Sequence, residues 1–187
     1  MKDLIKRNLN GKKVLIYFGL TGLVYGSMLG ITGPKVMMLA GGMRILDLMP
    51  TGYDAYYVKT LFGALGEEGR HAYLFNQLPL DLIFPFLSGI SFCLIIAWLL
   101  GQIKKLETNW FYLCYLPVIA GLFDYFENFS IITLLMNYPD ISENMVKLSS
   151  VFSILKSSFT TVYMIIMIIL LVVFGVNKIF LKREKIS

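Results

Sequence analysis

Hydrophobic positions along the chain gather into four long blocks, roughly residues 14–33, 80–101, 110–136 and 157–177. A bilayer core about 30 Å thick takes about 20 apolar helical residues to cross. Each block meets that length. The pattern predicts an all-α integral membrane protein, a bundle of four transmembrane helices forming one membrane domain over residues 1–187.

The stretch between the first two blocks, residues 34–77, is too apolar for an ordinary loop. It holds Val36-Met37-Met38-Leu39-Ala40 and Ile45-Leu46-Asp47-Leu48-Met49. Pro50-Thr51-Gly52 reads as a turn. Thr51-x-x-Asp54 then resembles a capping signal for a short helix to about Leu65. The expectation is a long outer segment carrying short helices, lying on the membrane or capping the bundle. Gly33-Pro34 is a breaker pair and should end span one. Pro85 in span two and Pro117 in span three cannot donate to the carbonyls of Asp81 and Leu113. Both helices should be irregular there.

Composition agrees with the pattern. The 187 residues are 57% apolar and only 16% charged, with mean hydropathy +0.69. Soluble domains carry about 25% charged residues. The net charge of +5 is placed to orient the chain rather than to grip nucleic acid. Lys2, Lys6, Arg7, Lys12 and Lys13 precede span one, Lys104 and Lys105 separate spans two and three, and Lys178, Lys182, Arg183 and Lys185 follow span four. Lys35, Arg44, Lys59, Arg70 and Lys147 fall on the other side. The positive-inside rule puts both termini in the cytoplasm of a cell-membrane protein, with the basic tails touching anionic lipid. Trp98 and Trp110 lie towards the inner interface. Span one reads as a retained signal anchor, since no A-x-A-like site follows it.

Gly22, Gly26 and Gly30 form a double GxxxG on span one. Such a face admits close helix approach. Packing within the same bundle is the favoured reading; docking of a second copy or a partner is the other. Cys93 and Cys114 sit on different spans without a CxxC pair, which fits buried packing better than thiol chemistry.

Ionisable residues inside spans are costly and usually face the bundle interior. Here they are Asp81, Asp124, Glu127 and, at one edge, Lys156. Counting outward at about 1.5 Å per residue puts Asp124 about 21 Å, Glu127 about 26 Å, and Asp81 and Lys156 about 31 Å from the inner ends. That is the outer third or rim. Asp124, Glu127 and Asn128 share an arc of about 100°. Ser149, Ser153, Lys156, Ser157 and Thr160 form one stripe on span four. Arg70, Gln77 and Asp81 share a face if their helix is continuous, although Pro79 weakens that step.

Two readings follow. Asp81, Asp124, Glu127, Asn128 and Lys156, with Arg70, could line an outward-facing polar pocket beneath residues 34–77. Alternatively Lys156 pairs with Glu127 or Asp124 in a structural network. The first is slightly favoured because three acids face one evident base; Arg70 or His71 would reduce the imbalance. A single histidine cannot build the usual multi-histidine metal or haem site. There is no GxGxxG, P-loop or GxSxG motif. No metal or other cofactor is expected, and no reaction is named.

Leu46-Asp47-Leu48-Met49-Pro50-Thr51-Gly52-Tyr53, Gly66-Glu67-Glu68-Gly69-Arg70-His71-Ala72-Tyr73 and Phe123-Asp124-Tyr125-Phe126-Glu127-Asn128 resemble stretches of a group of small uncharacterised bacterial four-transmembrane-helix proteins. That resemblance covers most of the chain and implies no activity. The chain is more loosely similar to the emopamil-binding (EXPERA) group, small helical bundles with intramembrane carboxylates, from which no site residue carries over. The expected function is to hold a lipid-like or amphipathic small molecule, with membrane lipids as surroundings. The alternatives are an accessory subunit of a membrane complex and, as an oligomer, a proton-coupled transporter.

Overall fold

The apolar blocks fold as helices that outrun them. The computed structural model describes residues 2–184, with side chains from 3 to 179; Lys2, Lys182, Arg183 and Lys185 of the basic tails lie outside the described side chains. The α-helices are α1 (Lys2–Arg7), α2 (Gly11–Ser27), α3 (Gly33–Leu39), α4 (Ala55–Ala72), α5 (Leu78–Gln102), α6 (Leu116–Met136) and α7 (Glu143–Glu184). Four rods are long and apolar enough to cross a membrane: Gly11–Leu39, Ala55–Gln102, Asn109–Met136 and Glu143–Ile179. The protein is an all-α membrane bundle of four helices.

Gly33-Pro34 does not end span one. A π-helical turn, Met28–Thr32, joins α2 to α3. The Gly33 amide donates to Met28 O, five residues back. The α-register therefore restarts beside Pro34, where the missing N–H falls in the first turn. The outer segment also departs from expectation. The helix N-cap is Asp54 rather than Thr51, and its carboxylate accepts from the Tyr57 amide at 2.7 Å. The helix then runs past Leu65. Gly66, at φ 60°, takes a kink that a side chain would oppose. A second π turn, Tyr73–Gln77, leads into α5. Much of 34–77 is thus one rod with span two. Span four begins at Glu143 instead of 157, because Ser149 and Ser153 are fully buried against the rest of the chain and keep the polar first turns helical.

The helices pack in the order α2, α5, α6, α7, each mainly on the next. The α5–α6 contact rests on a reciprocal pair of Pro-x-x-x-Gly motifs, Pro85 to Gly89 and Pro117 to Gly121. A Cβ on Gly121 would lie 2.9 Å from Pro85 O, and one on Gly89 3.6 Å from Pro117 O. The two antiparallel helices therefore touch backbone to backbone at both ends of this patch. Pro117 leaves Leu113 without its α-helical donor, and the chain answers with a 3₁₀ stretch, Asn109–Tyr115, in which the Leu116 amide bonds Leu113 O.

Two apolar cores result. The inner one holds Leu94, Ile96, Leu99, Leu100, Phe111 and Leu170, together with both unpaired thiols. Ile5 of α1 is buried in it, and Lys6 pairs with Glu107 of the α5–α6 connection at 2.6 Å. The outer core joins the 36–73 segment to the ends of α6 and α7 through Ile45, Leu46, Leu61, Phe62, Leu134 and Val146.

The glycine face of α2 corrects the favoured reading. A Cβ added at Gly22, Gly26 or Gly30 would meet nothing within 4 Å. Among the described residues no element packs on that face. Gly89 and Gly121 do bring spanning helices together.

The two kinds of glycine predict opposite responses. Gly121→Ala should destabilise by about 1–3 kcal/mol through overpacking. Gly26→Ala should be neutral or stabilise by up to about 1 kcal/mol through helix propensity. Thermal unfolding in detergent measures both, and equal effects would contradict the α5–α6 contact described.

Candidate functional site

Between the two cores lies a polar layer, assembled from backbone outward. Pro85 strips the Asp81 carbonyl of its helical donor. The Asn128 side chain supplies the replacement, Nδ2 donating to Asp81 O at 2.8 Å. This bond sets α6 against the first turn of α5 and brings Asp81, Asp124 and Glu127 together. Lys156 of α7 completes the group. Its Nζ lies 3.2 Å from Asp124 Oδ1 and also contacts Glu127 Oε2. Glu127 and Asn128 are fully buried, and Asp81 is 2% exposed. One carboxyl oxygen of Asp81, Oδ2, has no hydrogen-bond partner within the protein.

Five of the residues expected to converge therefore do so: Asp81, Asp124, Glu127, Asn128 and Lys156. Arg70 does not. Its Nη1 donates to Phe62 O at 2.9 Å and its guanidinium lies 4.5 Å from the Tyr138 ring centre. The π turn at 73–77 inserts an extra residue per turn and breaks the shared face with Asp81. His71 is exposed and packs on Phe75. Among the described residues no group of three or more His, Cys, Asp or Glu is placed to hold a metal ion.

A fourth acid belongs to the layer. Asp47 sits in a 3₁₀ turn, Leu46–Leu48. The Tyr73 hydroxyl donates to its Oδ1 at 2.7 Å and Gln77 Nε2 to its Oδ2 at 3.3 Å. The Thr32 hydroxyl in turn donates to Gln77 Oε1 at 2.5 Å. This bond links the two π turns directly. Surrounding protein pushes the Asp47 carboxyl above its usual range, against the opposing pull of the Lys156 charge and of the bonds from Tyr73 and Gln77. Asp47 keeps some accessible surface because it faces a cavity. Its signal in the sequence was a single acid flanked by leucines inside an apolar loop.

That cavity has a volume of about 540 Å³. Asp47, Gln77, Asp81, Asp124 and Lys156 line its outer part; Phe18, Phe92, Tyr163 and Met164 line its inner part. From Asp81 to Phe92 along α5 is about 16 Å. Phe18, Phe92 and Tyr163 form a row of ring contacts at the inner end, with centroids 6.4 Å and 5.2 Å apart. The outer end is roofed by residues 45–50, held down where Ser153 Oγ donates to Met49 O at 2.9 Å. Next to it the Tyr53 hydroxyl meets Ser149 Oγ at 2.7 Å.

The helices run on well past the layer. Asp124 lies about 18 Å along α6 from Met136, and Lys156 about 20 Å along α7 from Glu143. The apolar blocks marked only where helices are apolar all round. The rods continue outward beneath the outer core. Compared with family models, curated proteins and solved structures, the chain matches none.

Lys156→Met should destabilise by about 3–5 kcal/mol, because it leaves buried acids unpaired. Adding Glu127→Gln should recover part of that loss in thermal unfolding; identical losses would argue against the pair. Asp47 predicts a pH effect of definite sign. Its raised folded-state value means the folded protein keeps this proton longer than the unfolded chain. Stability from this group is full at low pH and falls as pH rises above about 4. Asp47→Asn should flatten that part of a stability–pH curve, and an unchanged slope would show that other groups set it.

Proposed function

We propose that the protein holds a lipid-like, amphipathic molecule in this cavity, with a hydrogen-bond-donating head among Asp47, Asp81 and Asp124 and an apolar tail along the inner part. The observation that carries the reading is Asp81. Its Oδ2 is buried, unpartnered, and belongs to a side chain that lines a cavity polar at one end and apolar at the other. A buried acceptor left unmade costs about 1–3 kcal/mol. A donor on a ligand recovers that cost. Lys156 is already shared by Asp124 and Glu127, so an amine or hydroxyl head fits the remaining acceptors better than a carboxylate or phosphate. The volume lies within the range of about 300–1,000 Å³ common to small-molecule sites.

The orientation belongs to the same reading. Lys6, Arg7, Lys12 and Lys13 stand at the end of the bundle that also carries Lys104 and Lys105. With that end cytoplasmic, the termini are inside a cell membrane and the polar part of the cavity lies towards the outer leaflet.

A second reading, an accessory subunit of a membrane complex, draws on α2. The face formed by its Gly22 and Gly26 with Gly30 of the following π turn is open, and a partner or second copy would dock there. Crosslinking in native membranes separates the two, since a protein that stays monomeric and still binds amphiphiles supports the first alone.

Dodecylamine, dodecanol and dodecanoate test the head-group preference. At about a hundredfold above Kd, the amine or alcohol should raise Tm by about 5 °C or more, and dodecanoate should not. Asp81→Asn should remove most of the shift. No shift with any of the three, or shifts indifferent to Asp81→Asn, would rule the pocket out.

A further inference from the structure

The bundle is not closed. α2 docks on α5, and α7 docks on α6 and α5, but α2 and α7 form no packed interface with each other. The cavity reaches into the gap between them. Thr21, Gly22 and Tyr25 line it from one side, and Thr160, Thr161 and Met164 from the other. On the α2 lip Phe18 and Tyr25 are 50% and 47% exposed. At Gly22 a Cβ would meet nothing within 4 Å.

The other approaches are obstructed. Outward, residues 45–50 cover the polar part, and they are fixed to α7 through Ser153 and, next to them, through Tyr53 with Ser149 and Ser150. Inward, the Phe18–Phe92–Tyr163 row and the inner core lie across the path. Both lips of the remaining opening belong to rods long and apolar enough to cross a bilayer. In a bilayer, a gap between two such rods would face hydrocarbon.

We propose that the α2–α7 gap is a lateral portal through which the hydrocarbon chain of a lipid-like ligand enters directly from the bilayer. This rests on the pocket reading above and adds the route and the pose. The head slides in beneath the 45–50 roof while the tail stays between α2 and α7, parallel to the neighbouring lipid chains. A water-soluble molecule without a tail has no comparable path. The occupant is therefore a single chain carrying a small donor head, drawn from the leaflet nearer the polar end.

The test uses the full chain in phosphatidylcholine vesicles and a dodecylamine carrying a diazirine at its tail. Photolysis should label peptides from 18–29 and 157–164. Gly22→Trp and Thr161→Trp should each slow labelling from the bilayer by about tenfold, as a narrowed access step does. Labelling after long equilibration in detergent should persist in each variant and stay dependent on Asp81, because the head site among Asp47, Asp81 and Asp124 is untouched. Tail labels on residues 45–50, unchanged rates in both tryptophan variants, or loss of final labelling in both through simple cavity filling would each overturn the portal. If Asp81-dependent labelling persists while the rates stay unchanged, the pocket stands and the portal falls. Absence of specific labelling in the unsubstituted protein overturns both.

Discussion

The amide of Asn128 on the carbonyl of Asp81 is the bond on which the arrangement turns. A proline inside a buried helix orphans an acceptor four residues back, and in a membrane no water is at hand to satisfy it. The neighbouring helix must present a donor at that height. Asn128 does so only while Gly121 lets α6 rest against Pro85 and Gly89 lets α5 rest against Pro117. Backbone contact, side-chain donor and missing N–H are thus one device. It fixes the height of α6 against α5, and so the height at which the acids of the two helices meet.

Once those acids are together, α7 has little freedom. Glu127 is fully buried and Asp124 nearly so, and burying carboxylates without a counter-ion is far costlier than burying a paired set. Lys156 contacts both. The outer segment then closes over the layer, bringing Asp47 with its bonds from Tyr73 and Gln77. The paired π turns at Met28–Thr32 and Tyr73–Gln77 lie at that closure. Wider turns re-aim side chains without ending a helix, which explains why such turns recur at functional sites.

Helix number and the convergence of Asp81, Asp124, Glu127, Asn128 and Lys156 were legible in the sequence because both depend on local periodicity and on the scarcity of charge in apolar runs. Other features depend on pairings that no single segment displays. The open glycines of α2 carry the motif associated with close packing, while the glycines that pack, Gly89 and Gly121, are matched only with prolines on another helix. Arg70 turned away because a π turn shifted its register. Asp47 lies outside every span, so no rarity of charge in an apolar run marks it. Helix length was under-read because hydropathy marks where a helix is apolar all round, and the first turns of α7 bury Ser149 and Ser153 against protein.

Lys156 also bears on how the protein is made. Beyond Val162 α7 is almost wholly apolar as far as Val176, so Lys156 stands near the boundary of that stretch. A lone lysine deep in a bilayer is opposed by about 2.5–3.5 kcal/mol on insertion scales, and it relieves this by sliding towards water. Before docking, α7 on its own would therefore ride higher than in the finished bundle. Contact with Asp124 and Glu127 holds it in place against α6. Seating α7 thus closes the polar layer that α5 and α6 bring together.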